Sequence, residues 1–233
     1  MGASAATAGV DAKAMVAKAY ADPAALSRRF RARRFARVAE MVDRIIAEKG
    51  RCRIADIGGT RYYWDIVGDF VETRAVDITL INPKESQVPS GKFRFVDGDA
   101  TDLGALVDMS FDFVHSNSVI EHVGDWAKMA AMAANVRRLA PAYYVQTPNF
   151  WFPYEPHFRC LFIHWLPEQV RYRLVKRFAL GFAEAKETVE ASMTRVQSAR
   201  LIDEGQMRAL FPDADIAREK FCGLTKSVIA TRG

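Results

Sequence analysis

Asp56, Asp77 and Asp99 recur along the chain at the ends of short apolar runs, and the first is followed at once by Gly58 and Gly59. Their spacing, about twenty residues, is the length of one strand plus one crossover helix. Carboxylates placed at successive strand ends accept hydrogen bonds from sugar hydroxyls and exocyclic amines. A glycine turn lets backbone N–H groups approach a ligand closely. The chemistry suggested is therefore the holding of a nucleoside-bearing ligand. The stretch Arg53-Ile54-Ala55-Asp56-Ile57-Gly58-Gly59-Thr60 is not a Gly-x-Gly-x-x-Gly fingerprint, because no glycine follows Gly59 before Gly68. It is not a phosphate-binding P-loop either, because no Gly-Lys-Ser/Thr closes it.

A second group of residues could handle protons. The chain has four histidines. His115 lies within an apolar run and reads as a core residue. His122 follows a polar turn, Ser116-Asn117-Ser118, and stands next to Glu121. His157 and His164 sit in a segment dense in aromatics and prolines. His122, His157 and His164 are the candidate general bases, since imidazole is the side chain best matched to proton transfer near neutral pH. His157-x-x-Cys160-x-x-x-His164 would share a face if helical, a spacing that suits zinc. Pro156, the lack of an evident fourth ligand and the aromatic neighbours favour packing, so no metal is expected. Trp151, Tyr154, His157 and Trp165 are the candidate acceptor-binding side chains, because aromatic faces take both apolar rings and the C–H surfaces of sugars.

The elements that must position these residues follow from periodicity. Asp22-Pro23 reads as a cap and first helical position, leading a helix with Leu26, Phe30, Phe35, Val38, Val42, Ile45 and Ile46 on its apolar side and Gly50 as its stop. A shorter Ala/Lys helix at 11–20 precedes it. Strands are expected at 51–57, 74–77, 93–96, 111–115 and 142–145, with Asp77 closing the second. Helices are expected at 62–70, at 101–107, and from Asp125 to Pro141 with Trp126, Met129, Ala133, Val136 and Leu139 as the apolar stripe. The alternation breaks at Thr147. A helix at 167–178, another at 203–210, and two strands at 214–221 and 224–231, turned by Cys222-Gly223, complete the chain. Strands alternating with helices imply an α/β, Rossmann-like, doubly wound and mostly parallel sheet, ending here in an antiparallel hairpin.

Asp56-x-Gly58-Gly59-Thr60 resembles the first motif of class I S-adenosylmethionine-dependent methyltransferases, Asp/Glu-x-Gly-x-Gly, with Thr60 standing at the second family glycine. The resemblance implies that Asp56, Gly58, Gly59 and Thr60 lie at the methionine end of S-adenosyl-L-methionine. It implies that Asp77 and Ile78 serve the ribose, that Asp99 and Ala100 hold the adenine, and that Ser116 and Asn117 line the cofactor after strand four. It covers 54–145 and the terminal hairpin. Asp-Ile-Gly-Gly-Thr, Ser-Asn-Ser-Val-Ile-Glu-His-Val and Gln-Thr-Pro-Asn together look like a bacterial, type 11-like subgroup, some of whose members are associated with polysaccharide or secondary-metabolite modification. The implied layout is N-terminal helices over 1–50, a methyltransferase domain over 51–233, and a substrate-side insertion at 147–195.

Composition sets the outer bounds. The 233 residues, half of them apolar, are enough for one substantial core. Three cysteines imply no disulfide framework, and no run approaches the roughly 18 apolar residues of a membrane span. Met1 to Gly9 lacks the basic and Leu-rich regions of a leader, so a cytoplasmic protein is expected. The net charge is +5, with Arg28, Arg29, Arg31, Arg33, Arg34 and Arg37 close together. That stripe either meets phosphates or is a solvated helix face. The expected function is methyl transfer to a hydroxyl of a small-molecule or glycan-like acceptor. The alternatives are a nucleic-acid methyltransferase gripping phosphates through the arginine stripe, less favoured because no Asn/Asp-Pro-Pro-Tyr/Phe follows strand four, and a non-catalytic cofactor-binding regulator. The sequence leaves the oligomeric state open.

Overall fold

The computed structural model describes residues 26–83, 91–181 and 183–233. The expected helix at 11–20, the Asp22-Pro23 cap and most of the turn-rich loop after Pro83 lie outside these residues. The chain divides into two compact units, one taking in the chain up to Ala39 with Glu155–Val196, the other Glu40–Tyr154 with Gln197–Gly233.

The second unit holds the sheet. Its seven strands are β1 (Cys52–Ile57), β2 (Val76–Asn82), β3 (Phe93–Asp97), β4 (Phe113–Asn117), β5 (Ala142–Pro148), β8 (Asp215–Phe221) and β9 (Leu224–Arg232), in the order β3-β2-β1-β4-β5-β9-β8. The first five run parallel, and β9 returns antiparallel between β5 and β8. The strand order reverses between β1 and β4, which is where open α/β sheets form their ligand crevice.

Each face of the sheet is covered because its strands are buried on both sides. Ala55, Ile57, Val114, Tyr143 and Val145 pack with Met129, Met132, Ala133, Val136 and Leu139 of α4 (Trp126–Leu139) and with Met207 and Leu210 of α7 (Glu204–Leu210). Asp125 caps α4 by accepting from the Lys128 N–H, and Asp203 with Gln206 forms a capping box on α7. Trp126, expected in the buried stripe, is instead 42% exposed. It occupies the first helical position, beyond the edge of the covered face.

The long helix α1 (Leu26–Lys49) ends at Gly50, whose φ of 78° suits a residue without Cβ. Its last residue, Lys49, and Arg53 of β1 converge on Asp112, which precedes β4. Burial disfavours the Asp112 charge, but hydrogen bonds from the Arg53 side chain and backbone, and then from Lys49, prevail. They hold the carboxyl well below its ordinary range. This cluster ties the start of β1 to the start of β4.

Four expectations require correction. The single helix at 62–70 is two, α2 (Arg61–Ile66) and α3 (Phe70–Thr73), because Gly68 at φ 74° breaks the run. The helix at 101–107 is a set of turns. There Gly104 interrupts the run, and the Arg138 guanidinium takes the Leu103 and Leu106 carbonyls. Strand four ends at Asn117 and not at His115, since Ser116 and Asn117 pair with Val145 and Gln146. Strand two runs on through Ile78, Leu80 and Ile81 to Asn82, so Asp77 is near its start, opposite Arg53.

In the other unit, Phe158, Ile163, Val175 and Val196 form a small core, joined by Cys160, Tyr172, Leu174 and Leu180. This unit also holds α5 (Glu168–Arg177), α6 (Val189–Gln197) and the part of α1 up to Ala39. A two-stranded sheet pairs β6 (Tyr154–Glu155) with β7 (Cys160–Leu161). His157, Cys160 and His164 therefore fall in a turn, a strand and a 3-10 turn, and do not share a helical face.

Candidate active site

The carboxyl ends of β1 and β4 carry the densest polar arrangement. Asp56 is fully buried. One of its oxygens accepts from Trp64 Nε1 at 2.7 Å, and the other lies 2.7 Å from His115 Nδ1 on the adjacent strand. A carboxylate only accepts, so Nδ1 carries the proton and Nε2 the lone pair. His115 Nε2 is buried and has no hydrogen-bond partner among the described residues. The rings of Tyr63, Trp64 and Tyr144 surround the imidazole at centroid distances of 4.9, 5.5 and 5.9 Å. Asp56 therefore holds the turn from beneath.

The turn itself admits no side chain at two positions. Gly58 has φ 72°, and a Cβ there would come within 2.5 Å of a Val119 methyl. At Gly59 a Cβ would overlap the Asp56 carboxylate, 1.6 Å from Oδ2. Thr60, by contrast, is exposed, with extended backbone at φ −125° and ψ 152° that a β-branched residue adopts readily. A glycine is not required there, and nothing about Thr60 argues for a crowded site.

Around this turn the other strand ends contribute polar groups. Asn82, closing β2, donates its side-chain amide to the Gly59 carbonyl. Beyond β3, Asp99 accepts from the Thr101 backbone N–H at 2.8 Å and hydroxyl at 2.7 Å, which lowers its pKa, and Asn135 donates to the Ala100 carbonyl. Ser116 is buried and donates to the Ile57 carbonyl, locking β4 to β1. Asn117 Oδ1 is buried with no partner among the described residues. Past β4, Ser118 at φ 58° hydrogen-bonds Gln146, and the buried Glu121 accepts from Thr147 of β5 at 2.9 Å. His122 Nδ1 lies 2.7 Å from the Ser198 carbonyl oxygen, so Nδ1 donates and Nε2 is the basic nitrogen.

Of the expected cofactor residues, Asp56, Gly58, Gly59, Thr60, Asp99, Ala100, Ser116 and Asn117 gather at the carboxyl ends of β1, β3 and β4. Asp77 and Ile78 do not, because they lie near the amino end of β2, away from the carboxyl ends of the strands. The strand-end residue that sequence reasoning missed is Asn82. Its signal was the apolar run from Ile78 to Ile81, which carries the strand past Asp77. Glu121 and Thr147 were also missed as a pair, since only the fold brings them together. Trp151, exposed on the loop after β5, donates Nε1 to Asp203, and Tyr154 is exposed in β6. His157, His164 and Trp165 belong to the other unit. There His157 Nδ1 lies 2.6 Å from the buried Glu155, and His164 is buried. The buried Cys52 is no nucleophile: burial, with Asp112 beside it, pushes its thiol up to about 12.

These residues fit S-adenosylmethionine. A turn of two glycines that no Cβ can enter, flanked by Asn82 and Asp99 and by the unpaired amide oxygen of Asn117, offers backbone approach and hydrogen-bond acceptors. A cationic ligand with ribose hydroxyls and an amino group needs both.

Residues 59–141 match a family model described as a methyltransferase domain. Among solved structures, the 1,6-didemethyltoxoflavin-N1-methyltransferase of Burkholderia thailandensis, with 1,6-didemethyltoxoflavin and S-adenosylhomocysteine bound, superposes at TM-score 0.51 and 13% identity. The match covers 100% of this chain and 90% of that one. A possible exported protein from Bordetella parapertussis gives TM-score 0.49 at 14% identity, over 84% of this chain and 67% of that one. PigF with S-adenosylhomocysteine gives 0.48 at 11%, over 78% and 56%. No curated protein matches the chain. The glycine turn, the strand order and the matching family model agree. Residues 59–141 therefore form a methyltransferase domain of the type 11 kind, with S-adenosylmethionine as its cofactor.

Proposed function

We propose that the protein methylates a hydroxyl of a small-molecule or glycan-like acceptor, with His122 as the general base. The observation that carries this reading is the hydrogen bond from His122 Nδ1 to the Ser198 carbonyl, which fixes the tautomer and makes Nε2 the proton acceptor, on the segment that leaves β4. The cofactor supplies an electrophilic methyl carbon on a sulfonium. His122 Nε2 would take up the proton that the acceptor hydroxyl loses as its oxygen bonds to that carbon and the carbon–sulfur bond breaks, its electron pair leaving with the thioether of S-adenosylhomocysteine. Buried Glu121, held by Thr147, fixes the segment carrying His122, and Asn117 and Ser118 complete the polar rim. Trp151 and Tyr154, both exposed on the segment after β5, supply apolar faces for the acceptor. His157, paired with Glu155, His164 and Trp165 remain candidates from the other unit.

The test is S-adenosylhomocysteine formation with phenolic and sugar hydroxyl acceptors. His122→Asn should cut kcat by about a hundredfold, within the range of general-base catalysis, and leave cofactor binding unchanged. A comparable loss in His157→Asn with none in His122→Asn would move the base to the other unit.

The ribose contact has its own check. Asn82→Ala should weaken S-adenosylmethionine binding by about 1–3 kcal/mol, the usual cost of an unpaired polar group. Asp77→Ala should leave it unchanged. Calorimetry giving the reverse order would return the ribose to the start of β2.

A further inference from the structure

We propose that the unit containing Glu155–Val196 docks on an anionic lipid surface, through the turn before α5 and the outward face of α5. This rests on the surface of that unit and not on the acceptor assigned above.

The turn presents apolar groups to water. Leu161 is 57% exposed and Phe162 48%, and Leu166 is exposed beyond them. Phe162 stands in left-handed backbone at φ 62°, a conformation rare for a bulky aromatic. Its neighbour Ile163 enters the small core, so the strained turn turns one residue inward and the ring outward. The Phe162 ring packs on Trp165 at 5.0 Å, which widens the apolar surface.

The helix that follows the turn adds charge. In α5 the buried residue is Val175, and Val170, Arg173 and Arg177, at i, i+3 and i+7, lie on the opposite face. Val170 is 40% exposed and Phe178, just past the helix, 50%. The Arg177 guanidinium lies 5.7 Å from the Phe178 ring, and Lys176 flanks it. The one acid of α5, Glu168, pairs with Arg171 at 3.6 Å, away from that face.

Exposed Leu, Val and Phe beside Arg and Lys is the composition of an element lying in a headgroup layer. There the apolar groups enter the acyl boundary and the long basic side chains reach up to phosphates. Nucleic acid would use the cations and a stacked ring, but it offers nothing to Leu161, Leu166 and Val170. The positive face selects an anionic surface over a neutral one.

The experiment is flotation of the full chain with vesicles of phosphatidylcholine alone and of equal parts phosphatidylcholine and phosphatidylglycerol. The protein should float with the mixed vesicles and not with the neutral ones. Each cation near such a surface multiplies partitioning about fivefold, so Arg173→Gln with Arg177→Gln should lower it about 25-fold. Phe162→Ser with Val170→Ser should lower it by at least about tenfold. Both pairs should keep the wild-type melting temperature and S-adenosylmethionine binding, which separates docking from folding and from the cofactor site. Equal flotation with both vesicle types, or flotation unchanged by both pairs, would overturn the proposal. So would absent flotation with binding of a single-stranded RNA oligomer that Arg173→Gln and Arg177→Gln abolish.

Discussion

Gly59→Ala should cost the protein its cofactor site and much of its stability. A Cβ at this position would lie 1.6 Å from Oδ2 and 2.0 Å from Cγ of Asp56, far inside any van der Waals contact. The carboxylate cannot yield cheaply, because it is fully buried and bonded to Trp64 and to His115. Displacing it breaks both bonds and leaves a buried polar group unpaired, a change that typically costs about 3–5 kcal/mol. In a chain of this length that corresponds to a fall of about 10 °C in melting temperature. Calorimetry should show no S-adenosylmethionine binding, since the turn must open to relieve the overlap. Gly59→Ala with Asp56→Ala removes the obstacle and should recover part of the melting temperature. A single variant that melts and binds like the wild type would mean that the carboxylate does not sit under the turn. Gly58→Ala is a useful contrast: its obstacle is a Val119 side chain, so Val119→Ala should relieve part of the effect, leaving the cost of about 1–2 kcal/mol for a left-handed alanine.

Asp56→Asn should destabilise the protein by about 3 kcal/mol even though it preserves shape. The Asn oxygen can still accept from Trp64, but its amide then points a donor at His115 Nδ1. To accept that donor the imidazole must move its proton to Nε2, which is buried and partnerless. An orphaned N–H in this setting carries the full desolvation cost of a donor. His115→Phe tests the other side of the pair. The ring fits the cage of Tyr63, Trp64 and Tyr144, but one carboxylate oxygen loses its donor. Thermal melting of both single variants and of Asp56→Asn with His115→Phe gives a coupling energy. A double variant no worse than the worse single one is expected, since the two residues act as one unit. Strict additivity would show that the pair is not coupled.

The sheet was largely legible in the sequence. Apolar runs ending in polar residues marked β1, β3, β5 and the terminal hairpin, and Asp125 and Gly50 marked helix ends by local chemistry alone. Those signals are local because capping and strand hydrophobicity are properties of a few consecutive residues. Boundaries inside continuous apolar runs were not legible. Nothing between Ala75 and Asn82 distinguishes the start of a strand from its end, and only pairing of Ile57 with Ile81 shows that β2 finishes level with the glycine turn.

The sequence by itself determined the class of fold and the glycine turn, because a strand, a tight turn and spaced polar strand ends are written in consecutive residues, and the resemblance of those motifs to a known family pointed to the cofactor. The tertiary structure decided the role of each polar group. It made Asp56 a buried anchor bonded to His115, 59 residues away, and it put Asn82 in the place expected of Asp77. It also brought Thr147 to Glu121 and oriented His122 through Ser198. Hydrogen bonds between residues distant along the chain depend on strand register and on which face each side chain takes. Both are fixed by packing and are absent from any local stretch of sequence.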